Sequence, residues 1–218
     1  MLLASLLNAH GLVVPMKVNL GSFWAVYALK NEAELPLPPG AVVQPVRIFA
    51  DSPPRKLLLF NEYEARSPFF AGRRLEANVI VRIRGRTHFV VLDCISDTLG
   101  WDPDRGIHLP NAAMYRHTHK PRFTTRIRST RGDHFWADGV LDERDRRISP
   151  DFAVRPNWEC FFRNHPQSVK LQFDPIEVCK PVNLINATVD TSVVQEFQGQ
   201  HLFSFVHPNE MNFVMTVM

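Results

Sequence analysis

RLEANVIVRIRGRTHFVVLDC, running from Arg74 to Cys94, alternates like a strand, turns at Gly85-Arg86 and alternates again. A two-residue turn with glycine first predicts Arg84 opposite Thr87, which sets the pairing of the whole hairpin. Successive side chains of a strand point to opposite faces. Ala77, Val79, Val81 and Ile83 then share one face with His88, Val90, Leu92 and Cys94, and that face belongs to a core. The other face collects Glu76, Asn78, Ile80 and Arg82 with Phe89, Val91, Asp93 and Ile95. Solvent is the plain reading of its charges, but large hydrophobes interleaved with a few polar groups resemble the wall of a pocket. On this register Glu76, Asn78 and Asp93 are near neighbours. Burial beside a second acid raises a carboxyl pKa and suits it to acid or base work near neutral pH. The structural alternative is an internal ion pair of Glu76 or Asp93 with Arg82.

Outward from the hairpin, strand signals recur along the chain. SFWAVYAL (22–29), AVVQPVRIF (41–49), KLLLFNEYEA (56–65), RFTTRIRS (122–129), HFWADGVL (134–141), VKLQFDPIEV (169–178), LINATVDTSVV (184–194) and HLFSFVHP (201–208) are short and rich in β-branched or aromatic residues. Helix signals are few: leucines at 2, 3, 6 and 7, and a turn or two from Pro156 carrying Trp158, Phe161 and Phe162 as an apolar stripe. Seventeen prolines belong in connections rather than in element interiors. The segment 96–121 is long and irregular, which marks a functional loop or a hidden helix. These features predict a mainly β chain, 1–218 as a single domain, folded as a closed or nearly closed antiparallel β-barrel with a few short helices.

A hydrophobic content of 45% with 22% charged residues supplies a sizeable core. The net charge of +3 is too small for a whole-molecule field that would gather nucleic acid. Basic residues are nevertheless dense at Arg116, Lys120, Arg122, Arg126, Arg128 and Arg131, with Asp133 following. A solvated strand edge explains them more simply than an anion site. Cys94, Cys160 and Cys179 are odd in number and widely spaced, unlike a disulfide framework or a zinc site, and fit a reducing cytoplasm. The apolar opening lacks a basic leader and is too short to span a bilayer, so no membrane partner is expected. His117 and His119 with Asp133 have the makings of a metal site, but two histidines in a basic loop are more often solvated, and no metal is assigned. Asp102 and Asp104 read as an Asp-Pro turn rather than a calcium loop. Nucleophile elbow, phosphate loop and dinucleotide motifs are absent, so no cofactor is assigned.

LPLPPGAVVQPVRIF, SPFFAGRRLEANVIVRIRGRTHFVVLDC and the glycine-then-proline loop GIHLPNAAMYR resemble, in order and pattern, the acetoacetate decarboxylase-like superfamily over roughly 16–116 and, more faintly, over the strands after 165. The resemblance implies a cone-shaped antiparallel barrel with an internal pocket, often in an oligomer. In the decarboxylases a lysine of an adjacent pair, following an aromatic-proline step, forms a Schiff base with a keto acid. Here Leu109-Pro110 is followed by Asn111-Ala112, and both lysines are missing. An imine cannot form on asparagine, which disfavours a Schiff-base decarboxylase. The family's early pocket arginine also lacks a counterpart in KVNLGSFWAVY, whereas a family glutamate near the start of the hairpin corresponds to Glu76. The reading is therefore a cytoplasmic small-molecule enzyme acting on a keto or carboxylated substrate as a lyase, isomerase or cyclase. Glu76 is its acid or base, Asp93 tunes Glu76, and Asn78, Arg82 and Asn111 orient the ligand. A ligand-binding barrel without turnover and an oligomeric structural protein with a filled barrel are the alternatives.

Overall fold

A computed structural model of the chain describes residues 13–18, 21–68, 70–98, 100–102, 106–119, 121–152, 158–162, 165–173, 177–190, 194–207 and 210–218. The strands are, first, β1 (Val13–Val18), β2 (Ser22–Leu29), β3 (Val42–Val43), β4 (Leu57–Arg66), β5 (Ala71–Ile83) and β6 (Arg86–Ser96). Next come β7 (Gly100–Asp102), β8 (Gly106–His108), β9 (Ala112–His119), β10 (Arg122–Ser129), β11 (His134–Leu141) and β12 (Arg146–Arg147). The chain ends with β13 (Trp158–Phe162), β14 (His165–Phe173), β15 (Val178–Asp190), β16 (Gln198–His207) and β17 (Met211–Val217). No helix among the described residues is long and apolar enough to cross a membrane.

Two circuits of strands share β4, β5 and β6. The first closes completely: β4 pairs β5, then β6, β13, β14, β17 and β1 follow, and β1 returns to β4 through Lys17 and Val18 opposite Arg66 and Ala65. It is a seven-stranded barrel, antiparallel except where β13 runs parallel to β6. The second leaves β4 through β2, β16, β15, β11, β10 and β9. It comes back to the shared strands where Asn111 N donates to Ser96 O at 2.9 Å and Ser96 N donates to Asn111 Oδ1 at 2.8 Å.

Burial follows this architecture. In β10 it alternates residue by residue, because one face meets the interior and the other faces outward. The six residues from Ser22 to Tyr27 of β2 are all buried, and its apolar side chains divide between two cores: Phe23, Ala25 and Tyr27 fill one, Trp24 and Val26 the other. The hairpin is likewise covered on both sides. Val79, Val81, Val90 and Leu92 join the first of these cores, and Ile80, Phe89, Val91 and Cys94 join the second.

The hairpin turns one residue earlier than the sequence suggests. Arg84 and Gly85 are its central residues, both with positive φ (48° and 79°), and Ile83 pairs with Arg86. A turn with both central residues at positive φ matches the right-handed twist of the strands, and glycine takes the second position without a Cβ penalty. The larger departure is farther along. Asn78 pairs Val91 but Ala77 pairs Asp93, so Leu92 is an extra residue and β6 bulges there. One inserted residue inverts the side-chain alternation beyond it. Asp93 and Ile95 therefore move to the face of Ala77 and Leu75, whereas Cys94 moves to the face of Glu76. The expected grouping of Asp93 with Glu76 and Asn78 is thereby overturned.

Two other expectations change. Trp158–Phe162 is a strand rather than a helical stripe, since its edges are taken up by β6 and β14. Within 96–121 the described residues form β7, β8 and β9 instead of a helix. The helices found among the described residues are 3-10 turns at Glu32–Glu34 and Gln195–Phe197. The N-terminal leucine stretch lies outside the described residues.

Candidate functional site

Glu76 projects into the seven-stranded barrel. Val14, Met16 and Val18 are the buried positions of β1, and they pack with Tyr63 and Ala65 of β4. From β5, Arg74, Glu76 and Asn78 point the same way by alternation. Tyr63 sits opposite Arg74 in the register and donates its hydroxyl to Glu76 Oε1 at 2.5 Å. The Asn78 side chain also hydrogen-bonds Glu76. Tyr63, Arg74, Asn78, Cys94 and Cys160 are buried, whereas Glu76 keeps partial exposure. Burial raises the Glu76 pKa above the ordinary carboxyl value; the Tyr63 hydroxyl, the Arg74 charge and the Asn78 hydrogen bond pull it back without cancelling the rise. Burial and the neighbouring carboxylate push the Tyr63 phenol well above its usual value, so it remains a proton donor. Cys160 is pushed well up for the same reasons, which leaves its thiol inert.

The second circuit has a different interior. Phe23 and Phe123 stack with centroids 4.7 Å apart, Phe60 lies 6.0 Å from Phe135, and Tyr27 meets Phe60 edge-on at 5.6 Å. Against this aromatic filling stands a buried ion pair, Glu62 with Arg116, in which Arg116 also donates to Gly21 O and Glu62 O and lies 5.3 Å over the Phe123 ring. Asp93 accepts from Arg131 Nη2 at 2.8 Å. Arg131 Nε in turn donates to Asp133 at 3.0 Å, and Ser129 Oγ to the same carboxylate at 2.7 Å. The void beside Asp93, between Phe60, Leu75, Ala77 and Ile95, is too small to admit a water molecule. Burial raises the Glu62 and Asp93 pKa values, and the facing guanidinium opposes the rise in each.

The structure thus brings together Glu76 and Asn78 and separates the other predicted residues from them. Asp93 is bound to Arg131 across the second interior and is not among the groups that act on Glu76. Arg82 is exposed beside the turn, about 20 Å along the strand from Glu76 at ~3.4 Å per residue, too far to pair with it. The Asn111 side chain is spent on the Ser96 backbone, while Asn111 O accepts from Thr130 N at 2.8 Å, so Asn111 pins β9 to β6 and the β10–β11 turn. Sequence reasoning missed Tyr63 and Arg74. Their signal was available: Tyr63 shares a parity with Asn61 and Leu59 in KLLLFNEYEA, and Arg74 shares one with Glu76, but joining them requires the β4–β5 register. The side chains of His117 and His119 lie outside the described residues, and among those described no group of three or more His, Cys, Asp or Glu is placed to hold a metal. Lys17, Lys56 and Lys180 are engaged in ion pairs with Glu210, Glu32 and Asp145.

No family model matches the sequence, and no curated protein does. Solved structures match it in fold. An acetoacetate decarboxylase-like enzyme from Sphingomonas wittichii RW1 superposes with a TM-score of 0.60 at 12% identity, covering 98% of this chain and 94% of the other. Acetoacetate decarboxylase from Legionella pneumophila gives 0.59 at 12% identity, over 94% and 87%. The enduracididine biosynthesis enzyme MppR, solved with pyruvate, gives 0.56 at 14% identity, over 96% and 90%. With the strand order above, these likenesses establish that the chain has the acetoacetate decarboxylase-like barrel fold.

Proposed function

We propose that the protein is a small-molecule enzyme that moves a proton on a keto or carboxylated substrate by carboxylate chemistry, without a lysine imine. Lyase, isomerase and cyclase reactions all contain such a step. The observation that carries the reading is the Tyr63–Glu76 pair: a partly accessible carboxyl of raised pKa, held at 2.5 Å by a neutral donor inside a barrel. Glu76 takes a proton from the carbon beside a carbonyl and returns it. The Arg74 guanidinium, on the same inner face, stabilises the enolate oxygen or a substrate carboxylate, and Asn78 holds Glu76 in place. Asn111-Ala112, which the resemblance sets against the family's lysines, supports a route without an amine. The pyruvate bound by MppR, a neighbour in fold, supports keto acids as the first class to try.

Solvent exchange tests this directly. In deuterium oxide, loss of the methyl proton signal of pyruvate, or of the methylene signal of acetoacetate, is followed by NMR. The protein accelerates exchange, Glu76→Gln lowers the rate by about 10²–10⁴-fold, and borohydride added with the ketone leaves the activity intact. Exchange that survives Glu76→Gln, or covalent inactivation by borohydride, defeats the proposal. A Glu76→Gln variant that keeps ligand affinity while the parent shows no turnover assigns the barrel to binding alone.

A further inference from the structure

The basic run of residues 116–131 is divided by the fold, and one part of it remains unexplained by the interiors. Arg116 turns inward to Glu62, and Arg131 binds Asp93 and Asp133. Arg122, Arg126 and Arg128 occupy the exposed positions of β10, and among the described residues no carboxylate pairs with them. The register aligns Tyr115, Arg126 and Trp136 across three adjacent strands, with Ala113, Arg128 and His134 in the next row. Neighbouring strands lie about 4.8 Å apart and like-facing residues about 7 Å apart along a strand, so the two arginines and two rings form one compact patch. Arg126 lies 5.4 Å over the Trp136 ring, Tyr115 is 55% exposed, and an open depression of about 530 Å³ covers these rows. Trp136 Nε1 is buried and has no hydrogen-bond acceptor, and Asp138 Oδ1, two residues along the same face, has no donor.

We propose that this outer face of β9–β10–β11 binds a small planar anion: a flat ring bearing a carboxylate or a phosphate. The ring lies against Tyr115 and Trp136, where aromatic faces and the Arg126 guanidinium favour stacking. The anionic group meets Arg126 and Arg128, whose planar donors suit carboxylate and phosphate oxygens. Charge complementarity selects an anion, and the two flanking aromatic side chains select a ring over a bare ion. A depression of this size falls within the range of small-ligand sites. The site is independent of Glu76, which faces the interior of the other circuit.

Tryptophan fluorescence of the full chain is the readout, titrated with benzoate, adenosine 5′-monophosphate, adenosine and inorganic phosphate. Benzoate and the nucleotide represent the two sources of a planar anion, and whichever binds tighter names the source. Expected is saturable quenching by at least one of them that disappears in Trp136→Phe. Arg126→Ala or Arg128→Ala weakens it by about tenfold or more, the loss of one charge-assisted bond. Adenosine and inorganic phosphate bind at least tenfold more weakly than the matching planar anion. Far-ultraviolet circular dichroism verifies that the variants fold. The proposal is overturned by no saturable signal from either planar anion, by an unchanged signal in the Arg126→Ala/Arg128→Ala variant, or by equal binding of inorganic phosphate. It is also overturned if the face proves to join two copies, seen as self-association in sedimentation that Tyr115→Ala abolishes.

Discussion

The two interiors that flank the shared β4–β5–β6 sheet treat their acids in opposite ways. In the second circuit Glu62 and Asp93 each meet a guanidinium, and the remaining space is packed with phenylalanine. In the seven-stranded barrel Glu76 is met by a phenol and an amide, keeps partial exposure, and has Arg74 nearby. An acid paired with a full charge in a filled core acts as a fastener. An acid of raised pKa that keeps partial exposure and is met by a phenol donor suits general acid–base work. The filled-barrel reading of the sequence thus describes the second circuit.

The largest expected effects test the fastener side. Phe123→Ala removes a ring from the Phe23 stack and the face under Arg116, and should cost about 3–5 kcal/mol in urea unfolding. Arg116→Ala leaves Glu62 buried without its partner and should cost a similar ~3–5 kcal/mol, whereas an Arg116→Met/Glu62→Leu double variant should recover most of the loss. If the double variant is no better than the single one, Glu62 and Arg116 do more than hold the circuit together.

Next in size is the barrel side. Tyr63→Phe removes the hydroxyl from Glu76 and should cost about 1–3 kcal/mol. Because that hydroxyl lowers the Glu76 pKa, its loss moves the rising limb of the exchange–pH profile to higher pH. The raised pKa also sets the sign of a stability effect. A folded value above the unfolded one means the cost of ionising Glu76 is absent below the ordinary carboxyl range and appears as pH rises through the folded value. Glu76→Gln should therefore gain in melting temperature relative to the parent between pH 4 and pH 8. A constant difference across that range would remove the contrast between the two interiors. The smallest effect is expected for Asp93→Asn, about 1 kcal/mol, because Arg131 is one-third exposed and solvent screens the pair.

The strand inventory was largely legible. SFWAVYAL, RFTTRIRS and HFWADGVL coincide with β2, β10 and β11, since each is bounded by turn residues and apolar in the pattern its surroundings require. AVVQPVRIF was less so: its one proline, Pro45, interrupts the strand and leaves Val42–Val43 and an isolated bridge from Val46 to Arg55. Of the site, Glu76 and Asn78 could be read from alternation within one strand. Asp93 could not, because the Leu92 bulge has no marker in HFVVLDC, which alternates as well without it. Tyr63, Arg116 and Arg131 stand 13, 54 and 38 residues from the acids they bind, and nothing local joins them.

By itself the sequence determined that the chain would be built of strands and that its first long hairpin would bury acid among hydrophobes. These follow from side-chain period, proline placement and residue identity, all of which are local. Only the tertiary structure decided which interior each acid entered and what faced it there. A single extra residue in β6 reverses every side chain beyond it, and partners across a sheet are set by strand order rather than by distance along the chain.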